Sequence, residues 1–434
     1  MKDKKLLQDI IKEIENIKIF DTHEHLIYET ERKNLNLDFY YIFAIKNYLG
    51  CDLVNCGLDK RDLNNLSNPQ FSSKQKWELF NCYFQRTKNT TYARAVLIAL
   101  KDIYGIDKLT YNSIEEINEK IKKNNKIDFY EEILIKKAKI SNIINDLDPI
   151  VNMMGLKVCE PDKDYYLPVI RFDDLIDLRN KSDFLKLEYD YKTSIVKLED
   201  LLSLVDNLFE KRIGNIYGVK IWSAYIRDLN FEDVTLSEAS RSFSRLLSLK
   251  GNFERGDSIS FEELRPFSDY LHHYIIRKSI DYNLPIQIHT GILAGNYQNV
   301  YNSNPLPLSK LIDRYKKGRF DLFHAGYPFT NELITMVKTF PNCYFNLCWV
   351  PVLSKTLYIN TLNLIIDMIP QCKIFGFGGD YIFIEGTYAA TKIARECIAE
   401  VLASRVGEGY FSFEEAVEFG NKILYENARE LYSI

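Results

Sequence analysis

Short apolar or β-branched runs recur along this chain, each followed by a longer stretch with helical spacing. The runs fall at 17–20, 140–144, 166–170, 218–224, 285–288, 321–323, 343–350 and 373–377. Strands alternating with helices predict βαβ units in an α/β protein, and eight of them predict a parallel sheet closed as a (β/α)8 TIM barrel. In such a barrel the chemistry sits on loops at the C-terminal ends of the strands. Residues 30–138 break the alternation. Apolar positions recur every three or four residues through Ser73 to Phe84 and Tyr92 to Tyr104, with Gly105 as a helix stop. Ser113 and Glu116 have the spacing of a capping box and predict a further helix start. The block reads as a mostly helical insertion after strand 1, within a single barrel domain spanning 1–434. Residues 1–15 read as an amphipathic helix rather than a signal peptide, because charges interrupt every apolar run.

Composition narrows the function classes without choosing one. The chain is 46% hydrophobic and 27% charged with net charge -4, an ordinary globular balance that gives no basis for nucleic acid or membrane as partner. No apolar stretch nears the roughly 20 residues of a membrane span. Eight scattered cysteines without a CxxC pair predict incidental thiols, and a cytoplasmic location is the default expectation. The expected partner is a small-molecule substrate, with homo-oligomerisation left open.

The candidate chemistry lies where the runs end. Asp21-Thr22-His23-Glu24-His25 directly follows the first run. In extended backbone, residues two apart share a face, so His23 and His25 project together, as two imidazoles on one metal ion must. A pair of surface histidines would give the same short motif. Yet the chain holds only six histidines, and His289 and His324 also follow apolar runs, as does Asp380. His272 and His273 lie in a helical pattern away from the strand ends, where core or surface placement is expected. Lys220 sits inside the fourth run, a costly place for an unpaired ammonium. Arg171 closes the third run and either forks onto a substrate carboxylate or pairs with Asp173 or Asp174. Tyr225, Trp349 and Tyr381 stand near strand ends as candidate pocket walls, Tyr225 and Trp349 with Arg171 as substrate-binding residues.

DTHEH at 21–25, HTG at 289–291, HAGYP at 324–328, GGD at 378–380 and the closing segment 423–432 together resemble the amidohydrolase superfamily of metal-dependent barrel enzymes. The second half is most similar to the amidohydrolase-type domain found fused to glutamine synthetase-like domains. The insertion, through Asn89 to Tyr92 and Tyr104 to Ile106, resembles uronate isomerases, but their basic stretch after the first histidine pair has no counterpart here. The resemblance implies that His23, His25, His289 and Asp380 bind one divalent metal, zinc by preference, with a second ion or another divalent metal left open. It implies Asp380 as general base and His324 as the group that polarises a carbonyl or orients water. For Lys220 it leaves three roles: a carboxylated bridge between two metals, an ammonium on a substrate anion, or a core lysine reaching the mouth. If Lys220 bridges, His289 and His324 turn to the second metal.

The expected activity is hydrolysis of an amide, lactone or similar carbonyl bond in a small polar substrate, a carboxylated one among the options. An aldose–ketose isomerase similar to uronate isomerases comes second, and a metal-dependent decarboxylase third. A non-catalytic barrel binding a small carboxylate is the rival from another class, and the complete ligand set argues against it.

Overall fold

Each of the eight apolar runs contributes a strand. The computed structural model describes residues 2–147, 154, 160–251 and 259–434. The strands are Ile19–Glu24 (β1), Ile140–Asn145 (β2), Tyr166–Arg171 (β3), Gly218–Ile221 (β4), Ile286–Ile288 (β5), Phe320–Leu322 (β6), Cys343–Asn346 (β7) and Ile374–Phe375 (β8). They pair in parallel, in chain order, into an eight-stranded barrel wrapped by helices. Every residue of β4, β5 and β6 is buried, as befits strands covered on both faces.

Two boundaries differ from the sequence expectation in ways that matter for the site. β1 runs four residues beyond Phe20, because Asp21 and Glu24 still pair with β2, so His23 is inside the strand rather than past it. β7 stops at Asn346, and Trp349 three residues later has left-handed backbone (φ 67°), which ends extended pairing.

The seam between β8 and β1 closes beyond the short β8 strand. Thr22 N donates to Phe377 O, Asp380 N to His23 O, His25 N to Tyr381 O and Ile27 N to Ile382 O. Residues 377–382 therefore run alongside the end of β1. Gly379 fits here because a Cβ would overlap Glu24 Oε1.

Between β1 and β2 the chain is mostly helical. Ser73–Thr87 starts with a Ser72–Gln75 capping box, and Thr91–Tyr104 ends with Gly105 in left-handed backbone (φ 67°). The next helix, Tyr111–Asn124, is capped by Thr110 with Ser113 at its third position. It thus begins earlier than the Ser113–Glu116 pattern predicts, because Thr110 has the extended backbone a cap needs. A π-helical turn at Tyr41–Ile45, closed by Lys46 N to Tyr41 O, delivers residues 46–48 to the barrel mouth.

The amino-terminal helix Lys2–Asn16 buries Ile10 and Ile14 and packs on the long helix Ile384–Gly407. The last helix, Asn427–Tyr432, brings Tyr432 into the barrel floor.

Candidate metal centre

Three donor atoms converge at the seam. Nε2 of His23 lies 3.5 Å from Asp380 Oδ1, and Nε2 of His25 lies 3.3 Å from the same oxygen. The other ring nitrogen of each is engaged: His23 Nδ1 with Gln287 Oε1 (3.2 Å) and His25 Nδ1 with Asp146 O (2.5 Å). Gln287 Oε1 and Asp146 O only accept, so each Nδ1 carries the proton and each Nε2 presents a lone pair. Two imidazole nitrogens and a carboxylate oxygen at these distances are a candidate set for a shared cation. Donors about 3.4 Å apart are what a tetrahedral ion with ligands at ~2.1 Å requires.

The barrel interior fixes this geometry from below. Gln287 Nε2 donates to Thr22 O and to Tyr432 Oη, Tyr432 Oη donates to Asp321 Oδ2, and Asn346 Nδ2 donates to both Asp321 oxygens. Such partners orient a ligating imidazole and set its tautomer. Burial lowers the His23 pKa well below its ordinary value, helped by nearby Lys220, so the ring stays neutral as a ligand must be. For His25, burial acts downward, but the hydrogen bond and charge of Asp380 and the charge of Asp146 win and raise it. Burial pushes the Asp380 carboxyl up, yet His25, His324 and Lys220 together hold it below the usual value, and it stays ionised.

His289 and His324 form a second pair. His324 Nδ1 donates to Cys348 O (2.9 Å) and His289 Nε2 to Ile292 O (2.9 Å). The remaining nitrogens face each other at 3.2 Å, and His324 Nε2 is 4.0 Å from Asp380 Oδ2. Burial takes His324 down to about 4 and His289 well below its ordinary value, so these lone pairs also meet without a proton. His289, expected beside His23 and His25, is joined to Asp380 through His324. Asp380 therefore links two nests of imidazole nitrogens, one per oxygen.

Backbone strain gathers here. His324 (φ 60°), Ala325 (φ 52°), Trp349 (φ 67°) and Asp380 (φ 63°) all adopt left-handed backbone just past β6, β7 and β8. Non-glycine residues pay about 1–3 kcal/mol for such conformations, which persist where the surroundings over-determine them.

Above the donors lies a cavity of about 380 Å³ whose walls include Asp146, Arg171, Lys220, Trp222, Tyr225 and Tyr381, with Ile45, Lys46, Asn47, Tyr48 and Cys51 from the insertion. Tyr48 donates to Asp380 O (2.5 Å) and stacks against Trp349 and Tyr92. Arg171 is held by Asp146 (3.0 Å) and Asp173 (2.8 Å), so the ion pair expected as one option forms while its head still lines the cavity. Tyr225 also lines it and accepts from Ala294 N. Trp349 does not reach the wall: it is buried between His324 and Tyr48. Lys220 is buried, its Nζ 3.5 Å from the centre of the Phe323 ring. His272 and His273 are buried in the helix Phe261–Asp281, away from the centre.

Asp146 and Cys348 are candidate site residues that the sequence reading missed. Asp146 groups with His23 and His25, and Cys348 with His324 and Asp380, at spacings that suit a metal ion. Asp146 follows β2 by one residue, as His25 follows β1 and His289 follows β5. Cys348 carries no comparable signal.

Residues 258–434 match the amidohydrolase family profile. Protein fluG of Emericella nidulans is 28% identical over 200 residues, 45% of this chain. The likeness to the amidohydrolase family is thus carried by the carboxy-terminal part of the chain. The chain spans only 22% of the length of the fluG protein. Its fold is shared along nearly its whole length with solved structures. Uronate isomerase of Thermotoga maritima superposes with TM-score 0.76 at 15% identity, covering 99% of this chain and 97% of that one. Glucuronate isomerase of Caulobacter crescentus gives 0.76 at 15%, covering 99% and 94%. A Lactobacillus casei protein assigned as a metal-dependent hydrolase gives 0.65 at 17%, covering 97% and 96%. No described helix is long and apolar enough to cross a membrane.

Proposed function

We propose that this chain is a metal-dependent hydrolase acting on an amide, lactone or similar carbonyl bond of a small substrate. One observation carries the reading: two imidazole lone pairs and the Asp380 carboxylate converge on one point at a cavity floor. His23, His25 and Asp380 would hold a divalent ion, zinc by the nitrogen-rich character of the set. His324 and His289, on the other Asp380 oxygen, would hold a second or steer the substrate carbonyl. When bound, the ion supplies Lewis acidity, acidifying water and polarising a carbonyl oxygen.

The chain's own groups do the rest. Asp380, kept ionised, takes a proton from attacking water and returns it to the leaving group. Neutral His324, fixed by Cys348 O, presents Nε2 toward that proton path. Tyr48 holds the Asp380 backbone, and the insertion walls the cavity against bulk water.

The test is metal analysis joined to turnover in H2(18)O. His23→Ala should lose the ion, and Asp380→Asn should keep at least part of it without turnover. Across a panel of small amides and lactones, the wild-type product should take up one (18)O. Turnover to an isomer of unchanged mass with no label would replace this reading with aldose–ketose isomerisation. That second reading is supported by the likeness to two uronate isomerases, which includes the helical block between β1 and β2.

A further inference from the structure

The cavity is rich in donors that nothing answers. Lys220 Nζ, Trp222 Nε1 and Tyr381 Oη are buried, and among the described residues none has a hydrogen-bond partner. All three residues line the cavity. An ammonium and an indole N–H have no acceptor capacity, so only acceptors can satisfy them. An unpaired buried donor is costly, a charged one more so, and the Phe323 face under Nζ compensates in part only.

Their placement is not scattered. Lys220 pairs with Arg171 in the β3–β4 register, and Trp222 lies two residues on, its ring 4.7 Å from the Arg171 guanidinium. Arg171 is already paired with Asp146 and Asp173, so the donors left vacant on this side are those of Lys220 and Trp222. Among the described residues, Asp146 Oδ1 is also buried without a hydrogen-bond partner; it is ion-paired with Arg171 through its other oxygen, and its charge and that of Asp380 act on Lys220.

We propose that the β3–β4 side of the cavity is a carboxylate subsite, in which Lys220 and Trp222 donate to the anionic end of a substrate whose carbonyl lies at the His23–His25–Asp380 centre. A carboxylate is acceptor-only, the chemistry that an ammonium and an indole N–H both require. The remaining wall is mostly carbon, with Ile45, Tyr48, Tyr225 and Ile382 presenting flat or apolar surface. A polyol would leave its hydroxyls poorly satisfied against that wall, so the substrate class is a small carboxylate with an apolar, planar body. The assignment rests on the hydrolase reading for the position of the reacting carbonyl; the subsite itself rests on the donors.

The experiment compares benzoate with its neutral isostere benzamide on zinc-loaded protein by calorimetric titration, with metal content measured in each sample. Wild type should prefer benzoate by at least about tenfold, the value of one charge-assisted hydrogen bond. Lys220→Met should bring the preference below about threefold with zinc content unchanged, and Trp222→Phe should weaken benzoate severalfold. Equal binding of the two probes by wild type, or no binding of benzoate, overturns the subsite whether or not the variants fold. A preference that survives in Lys220→Met overturns it too, because benzoate would then be reading the metal. Loss of zinc in Lys220→Met also overturns it and assigns the lysine to the metal centre. Wild type that takes up no zinc sinks the hydrolase reading instead, a separate result.

Discussion

His272 shows how a single buried residue ties stability to pH. Its Nδ1 meets Ser268 O and its Nε2 meets Ser223 Oγ, both at 2.6 Å. Burial, with Arg227 nearby, pulls the ring down to about 3 from the ordinary 6.5. A lowered folded value means that the unfolded chain takes up the proton first. The contribution is therefore whole above about pH 6.5 and drains away as the pH falls toward 3, by about 1.4 kcal/mol per pH unit. Replacing His272 by Gln should flatten the pH dependence of unfolding free energy by about one proton between roughly pH 6 and 4. Urea unfolding at several pH values reads this directly, and parallel slopes for the two proteins would refute it. At this scale the candidate donors stood out in the sequence because histidine is rare in the chain and because spacing by two fixes a shared face. Gln287 and Asp146 were not, since they are ordinary residue types that acquire their part from neighbours on other strands. Trp349 stands at a strand end, as a wall residue would, but its left-handed backbone sends it under Tyr48 instead.

Among the elements, a buried ion pair helps fasten the helical block between β1 and β2. Arg32 donates to both oxygens of Glu385 (2.9 and 2.6 Å), and Tyr104 Oη donates to Glu385 Oε1 (2.5 Å). Glu385 opens the helix that follows β8, so the pair fastens the block to the same strand end that presents Asp380. Removing one partner strands the other charge away from water. Arg32→Met should cost about 3–5 kcal/mol, whereas Arg32→Met with Glu385→Leu should recover most of that. Denaturant midpoints of both variants check it, and a double mutant no more stable than the single one would show that the pair is no unit. The helices themselves were readable from period and caps, as Thr91–Tyr104 and Gly105 illustrate. Where they dock was not, because Arg32 and Glu385 are 353 residues apart and neither carries a local signal of the other. The same holds for Tyr48, whose place at the site depends on a π-helical turn that apolar spacing cannot distinguish from an α-turn.

For the molecule as a whole, the candidate ligands straddle the line where the barrel closes. His23 comes from its first strand, His25 from the residue just after it and Asp380 from just past its last, and four backbone hydrogen bonds join these segments where regular β8 pairing has ended. β8 itself has only two residues in its ladder, so this seam has less regular pairing than the β3–β5 half. An ion shared between His23, His25 and Asp380 would staple the two ends of the sheet, and anything that binds only the folded state stabilises it by mass action. Chelation should therefore lower the unfolding temperature, and zinc at a hundred times its dissociation constant should restore about 2.7 kcal/mol. The loss should also be local. Hydrogen exchange should quicken in segments 19–27 and 376–383 of chelated protein while β3, β4 and β5 keep their protection, because local opening follows the weakest pairing. Uniform quickening around the barrel would mean that the ion supports the fold at large, and no change at the seam would mean that these donors do not hold it.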